Sequence, residues 1–277
     1  MSKEGGTILD TKPSELFDYF LAICKILGED TTKIRDVVKT SKAYYQADES
    51  TRNEMRPMQV LENRWYKSLA EGVPDYSIYA ADQYIPDMWA CWELYSSRYL
   101  RAIRYSRALL SKKSIVDDLG DINSVVDLGC GIGFTTAALA ELFFRAQVTG
   151  TNLDMTAQMR FARTMGRQHN FNVVADIRKI DAPVDLVWAS EYFEHFYSPI
   201  KHLIEVLDIL RPQALLITNS FTVHSIGHFD NYLVGDTLTV TNKNISRLFN
   251  DVLRERQFVA IETNLRNNRP AYWKRQT

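Results

Sequence analysis

The sequence predicts an α/β protein: a mostly parallel sheet with helices on both faces, closed by an antiparallel hairpin and preceded by a helical region. Three observations lead there. After residue 120 short apolar runs alternate with segments of helical spacing, the signature of strand–helix–strand units. Before residue 120 apolar positions recur at helical spacing and strand signals are scarce. Between the two, VVDLGCGIG (125–133) joins a strand to a helix, where sheets of this kind bind ligands.

In order, LFDYFLAICKIL (16–27) and MWACWELYSSRYLRAIRYSRALL (88–110) read as amphipathic helices. Between them VPDYSIYAADQYIPD (73–87) carries two prolines that mark turns. The strands are SVVDL (124–128), QVTGTNL (147–153), FNVVAD (171–176), VDLVWAS (184–190) and ALLITNS (214–220). The helices between them are TTAALAELFF (135–144), TAQMRFARTMGRQ (156–168) and IKHLIEVLDIL (200–210). ISRLFNDVLRER (245–256) is a last helix, and FVAIETNL (258–265) with AYWKRQ (271–276) forms the closing hairpin around RNNRP. Residues 1–119 thus read as a helical cap that selects the substrate, and 120–277 as the ligand-binding domain.

Of the 277 residues, 45% are apolar and 24% charged, as in ordinary globular chains. A net charge of −1 argues against a surface built mainly for nucleic acid. Cys24, Cys91 and Cys130 are odd in number and far apart, which fits a reducing compartment rather than a disulfide framework. MSKEGGTILD lacks an apolar signal core and no apolar run approaches membrane-spanning length. The expectation is a cytoplasmic protein with no membrane partner.

In VVDLGCGIG the glycines run G-x-G-x-G, with Asp127 two residues before the first. An acid there repels a pyrophosphate and suits an ammonium group, so S-adenosylmethionine matches the charge pattern better than a dinucleotide. The phrase D-L-G-C-G-I-G resembles the first motif of the class I S-adenosylmethionine-dependent methyltransferases, with similarity over about residues 120 to 275. The resemblance implies a Rossmann-like seven-stranded sheet, with Asp127, Gly129 and Gly131 cradling the methionine part of the cofactor. It places Asn152, followed by Leu153, where the family carries an acid for the ribose hydroxyls; Asp154 is a substitute. VVADIRKI (173–180) resembles the third motif, which puts Asp176 at the adenine amino group and the Ile177 amide at a ring nitrogen.

ASEYFEHF (189–196) follows the fourth strand, where methyl group and acceptor would meet. It is read in two ways. Glu191, Glu194 and His195 cap the next helix and shape the cofactor wall, or they hold a metal. The phrase E-x-x-E-H resembles that of the ubiquinone-pathway O-methyltransferases and small-RNA 2′-O-methyltransferases, which implies Mg²⁺, Mn²⁺ or Zn²⁺. On a helical turn positions 191, 194 and 195 share a face. SFTVHSIGHFD (220–230) offers His224, His228 and Asp230 as further ligands, the histidines facing one way if the segment is helical. Without a metal, His195 or a later histidine is the expected general base. His202 is expected to face solvent.

Residues 44 to 105 hold nine of the fourteen tyrosines and three of the five tryptophans. Most read as core filler, and some as walls for a flat acceptor. Arg98, Arg101, Arg104 and Arg107 recur every third residue, which reads as a solvated face or, more sharply, a phosphate contact. Arg98 or Tyr95 is the candidate for the cofactor's carboxylate. The expected activity is in-line methyl transfer to an oxygen or nitrogen of a small organic acceptor. The alternatives are a nucleic-acid or nucleotide 2′-O-methyltransferase and a catalytically silent cofactor-binding subunit of a partner complex.

Overall fold

The computed structural model describes residues 7–276 apart from 49–50, 52–57, 82 and 155. Residues 1–6 of the polar N-terminal stretch therefore lie outside the described residues. The front of the chain is helical: α1 (Pro13–Ile26), α2 (Thr31–Gln46), α3 (Met58–Ala70), a 3-10 turn (Tyr76–Ala80), α4 (Tyr84–Cys91), a π turn (Trp92–Ser96), α5 (Ser97–Tyr105) and α6 (Ile115–Leu119). Local chemistry sets several starts. Pro13 opens α1, the Asp30 carboxylate accepts from the Thr32 and Lys33 amides to cap α2, and Ser114 with Asp117 forms a capping box at α6.

The rest alternates as expected: β1 (Ser124–Leu128), α7 (Phe134–Leu142), β2 (Gln147–Thr151), α8 (Ala157–His169), β3 (Asn172–Val174), β4 (Leu186–Ser190), α9 (Pro199–Leu210) and β5 (Ala214–Thr218). Then come β6 (Asn231–Val234), β7 (Leu238–Thr241), α10 (Asn242–Glu255), β8 (Phe258–Ile261) and β9 (Ala271–Arg275). The seven-stranded sheet runs β3-β2-β1-β4-β5-β9-β8, with β1 to β5 parallel and β9 antiparallel to both neighbours. Strand order reverses between β1 and β4, so a crevice opens beyond their carboxyl ends. The hairpin β6–β7 stands apart from the large sheet.

Front helices and sheet share two buried clusters, one on each face. Phe20 stacks on Trp89 at 4.8 Å and Trp89 meets Phe134 edge-on at 5.0 Å, with Phe161, Trp188 and Tyr272 in the same buried cluster. On the other face Trp65 and Ile78 join Leu203, Leu215 and Phe249. The helical front is therefore fixed over the crevice by buried aromatic contacts. The segment expected as one helix over 88–110 is interrupted by the π turn and ends at Tyr105. Among the described residues no helix is long and apolar enough to cross a membrane.

Candidate functional site

The turn after β1 is shaped by positions that only glycine fills without strain. Gly129 and Gly131 have φ of 68° and 53°. A Cβ on Gly129 would stand 2.5 Å from the Tyr192 ring, and one on Gly131 would stand 2.9 Å from Met88 Sδ. Thr151 at the end of β2 holds the turn, its Oγ1 accepting from the Gly129 amide at 3.0 Å and its carbonyl from Cys130 at 2.8 Å. Asp127 is 2% exposed. Its carboxylate accepts the Thr136 hydroxyl at 2.6 Å, and burial, offset in part by that bond, pushes its pKa up to about 7.

Asn152 is engaged at both ends of its amide: Nδ2 donates to the Gly131 carbonyl at 2.6 Å and Oδ1 accepts from Leu153 at 2.8 Å. Asp176 Oδ1 accepts from the Arg178 amide at 2.9 Å, and Arg178 also pairs with Glu205. Ile177 is buried, whereas Leu153 is exposed. Asp127, Gly129, Gly131, Asn152, Leu153, Asp176 and Ile177 all line one cavity of about 810 Å³, near the top of the roughly 300–1,000 Å³ range of ligand pockets.

The E-x-x-E-H stretch is not a helical face. Glu191 is left-handed at φ 51°, directly after its amide makes the last rung of the β4–β5 ladder, donating to the Thr218 carbonyl at 2.8 Å. Only Phe193–His195 make a short 3-10 turn. Glu194 is fully buried. Its Oε1 accepts from the Ser220 amide at 2.6 Å and its carbonyl from Tyr232 Oη at 3.1 Å. Burial, and then the neighbouring Glu191 carboxylate, raises its pKa well above the ordinary value. Glu194 is thus a neutral tie between the loops after β4 and β5.

His195 Nδ1 lies 2.8 Å from Tyr79 Oη. Burial, reinforced by His228 with its ring 4.8 Å away, lowers its pKa well below the usual value. His228 Nδ1 donates to the Val223 carbonyl at 2.8 Å, and burial brings its pKa down to about 4. His224, 61% exposed at its side chain, stacks on Tyr66 at 4.0 Å. The segment 220–230 is not helical at any position, and Gly227 within it has φ 83°. Glu191, Glu194, His195, His224 and His228 therefore do not form the expected ligand set; among the described residues no group of three or more His, Cys, Asp or Glu side chains could hold a metal.

A neutral Glu194 makes a direct prediction. Glu194→Gln keeps the shape of a protonated carboxyl and is expected to melt within about 2 °C of the parent at pH 7. Glu194→Ala, which leaves the Ser220 amide buried without a partner, is expected to cost about 2–4 kcal/mol; thermal unfolding of both variants checks this.

The other half of the cavity comes from the front helices, and sequence reasoning missed most of it. Tyr45, Tyr79, Tyr84, Tyr95, Tyr99 and Trp92 line it. The π turn lets Trp92, Tyr95, Ser96 and Tyr99 all border the cavity, a common use of such turns. Asp87 on α4 is 3% exposed and accepts from Tyr45 Oη at 3.0 Å. Its signal in the sequence was an acid within the otherwise apolar YIPDMWAC. Arg269, beside β9, borders the same space. His202 does not face solvent: it stacks on Phe196 at 3.9 Å, and its Nε2 lies 2.9 Å from the hydroxyl of Tyr192, the ring that covers Gly129. Two arginines of the series serve the fold instead, Arg101 donating to the Leu9 carbonyl and Arg104 pairing with Asp10.

Residues 126–218 match the methyltransferase domain family. Trans-aconitate 2-methyltransferase of Rhodopseudomonas palustris (strain BisA53) is 38% identical over 101 residues, 35% of this chain and 38% of the relative. The enzyme of the same name from Azoarcus sp. (strain BH72) is 40% identical over 101 residues, 35% of this chain and 39% of the relative. The chain thus spans under two fifths of the length of these curated relatives. Among solved structures, an O-methyltransferase family protein from Burkholderia thailandensis superposes with a TM-score of 0.50 at 16% identity, over 79% of this chain and 70% of the other. That likeness concerns the fold.

Proposed function

We propose that the chain, whose residues 126–218 match a methyltransferase domain family, moves a methyl group in line from S-adenosylmethionine to an oxygen or nitrogen of a small organic acceptor. The observation that carries the reading is the buried Asp127 carboxyl at the base of the glycine turn, bordering a cavity that continues into a tyrosine-lined chamber. A buried carboxyl with one hydroxyl partner calls for a cation, and the ammonium of a methionine moiety supplies one.

When bound, the cofactor supplies an electrophilic methyl group. This chain's residues do the rest. Asp127 holds the ammonium, Asn152 serves the ribose hydroxyls, and Asp176 and the Ile177 amide read the adenine edge. The front helices exclude water and align the acceptor. The acceptor's proton passes to Tyr79 Oη as that hydroxyl gives its own to His195 Nδ1, 2.8 Å away; burial keeps the imidazole unprotonated until then. No step runs through a metal, because the expected ligands do not converge. The helical front, about residues 1–119, selects the acceptor. Three free cysteines support a reducing, cytoplasmic setting.

The acceptor named by the curated relatives, an acid, is not carried over, since those relatives match 35% of this chain. Calorimetry with S-adenosylhomocysteine is expected to show one site at micromolar concentration. Labelled S-adenosylmethionine is expected to mark a small-molecule pool rather than RNA or DNA. No binding up to millimolar concentration would sink this reading, and label in nucleic acid would redirect it.

A further inference from the structure

The chamber beyond the glycine turn is oddly charged for the site of an acidic acceptor. Asp87 and Glu191 border it, and among the described residues in this half the guanidinium is that of Arg269. Arg269 is already engaged, Nη1 with the Ser220 hydroxyl at 3.3 Å and Nη2 with the Asn219 carbonyl at 3.2 Å. Asp87 is buried, with the Tyr45 hydroxyl on Oδ2 at 3.0 Å, the Ser41 hydroxyl beside the carboxyl, and no hydrogen bond completed at Oδ1. Around it stand rings. Tyr45 meets Tyr95 edge-on at 6.2 Å, and Tyr84 meets Tyr79 edge-on at 5.0 Å.

Ring faces are electronegative and draw cations, the more so when water is excluded. A carboxyl set among such faces is costly to ionise alone, and here burial raises its pKa to about 7. A bound cation removes that cost, whereas a bound anion adds to it. Hydrogen bonding to Tyr45 and Ser41 alone would account for a polar group at this position but not for a chamber wall of aromatic rings around an incompletely bonded carboxyl.

We propose that the acceptor carries a cationic nitrogen, which Asp87 binds between the rings of Tyr45 and Tyr84. This deepens the methyltransferase reading and rests on it. Asp87 is then a specificity-determining residue: it orients the acceptor, and the bound nitrogen need not be the atom that is methylated.

The test uses the full chain saturated with S-adenosylhomocysteine and probes that share a phenol ring. Tyramine and its N,N-dimethyl derivative are titrated against 3-(4-hydroxyphenyl)propionate by calorimetry. The amines are expected to bind at least tenfold tighter than the acid. Near pH 6.5 their binding is expected to release protons, read from runs in two buffers of different ionisation heat. Asp87→Asn is expected to erase the preference while binding of S-adenosylhomocysteine stays unchanged. Tyr45→Phe, which keeps the ring and frees the carboxyl, is expected to retain it, and this variant decides the matter should Asp87→Asn fail to fold. Equal or tighter binding of the acid, no binding of either amine, an unchanged preference in Asp87→Asn, or its loss in Tyr45→Phe would each overturn the proposal. Absent S-adenosylhomocysteine binding would remove the methyltransferase reading and this proposal with it.

Discussion

Asp127→Asn is expected to weaken S-adenosylhomocysteine binding by about ten- to a hundredfold at pH 7.5, the loss of one hydrogen bond to a charged group at about 1.5–3 kcal/mol. The pH profile is the sharper readout. The empty site holds Asp127 with a pKa of about 7 because burial disfavours its charge. Below pH 7 the ammonium must displace a proton, so affinity is expected to rise by up to about tenfold per pH unit from 5.5 and to level near 7. The asparagine variant is expected to show a flat profile over that window. The same shift acts on folding with a defined sign. The folded state holds this proton more tightly than the unfolded one, so the contribution to stability is fully present below about pH 4 and is lost as pH rises to about 7. Calorimetry across pH, paired with thermal melts of the unliganded proteins, measures both effects; an equal slope in the two proteins would remove Asp127 from the site.

Gly227→Ala is expected to cut methyl transfer by at least about a hundredfold while S-adenosylhomocysteine binding stays within about threefold. The added Cβ would collide with Tyr79 Oη and lie 2.5 Å from His195 Nδ1, forcing apart the pair assigned to the acceptor's proton. General acid–base groups contribute about 10²–10⁴ in rate, so the loss follows from geometry alone. At φ 83° a side chain also costs about 1–2 kcal/mol, read as a lower melting temperature. Label incorporation and product calorimetry on one preparation separate the two halves of the cavity. Loss of product binding together with activity would mean that the segment supports the whole site.

The glycine turn and its strand were legible because their information is local. A five-residue apolar strand, three glycines and an acid lie within ten positions, and β1 runs Ser124–Leu128 as its sequence implies. Local information misled at ASEYFEHF. Spacing suggests a helical face, but the β4–β5 ladder extends to the Glu191 amide and the chain turns left-handed there, and that pairing is invisible along the chain. Asp87, Arg269 and the Tyr79–His195 pair were out of reach for the same reason, since the chamber gathers segments as distant as Tyr45 and Arg269. The hairpin of β6 and β7 went unread although its signal is short-range: Gly235–Asp236 stands between two apolar-rich runs, and β6 pairs with β7 there.

The π turn at Trp92–Ser96 bears on how such a chain could change its diet. Each residue advances a helix by about 100°, so one residue more or fewer re-aims every side chain downstream of it. A single-codon deletion within this turn would restore a regular helix and swing Tyr99 away from the chamber, while β1 to β5 and the glycine turn kept their places. On the proposed reading, acceptor choice is thus written partly in chain length, and a lineage could explore new acceptors by a slip in counting, with the cofactor end left intact.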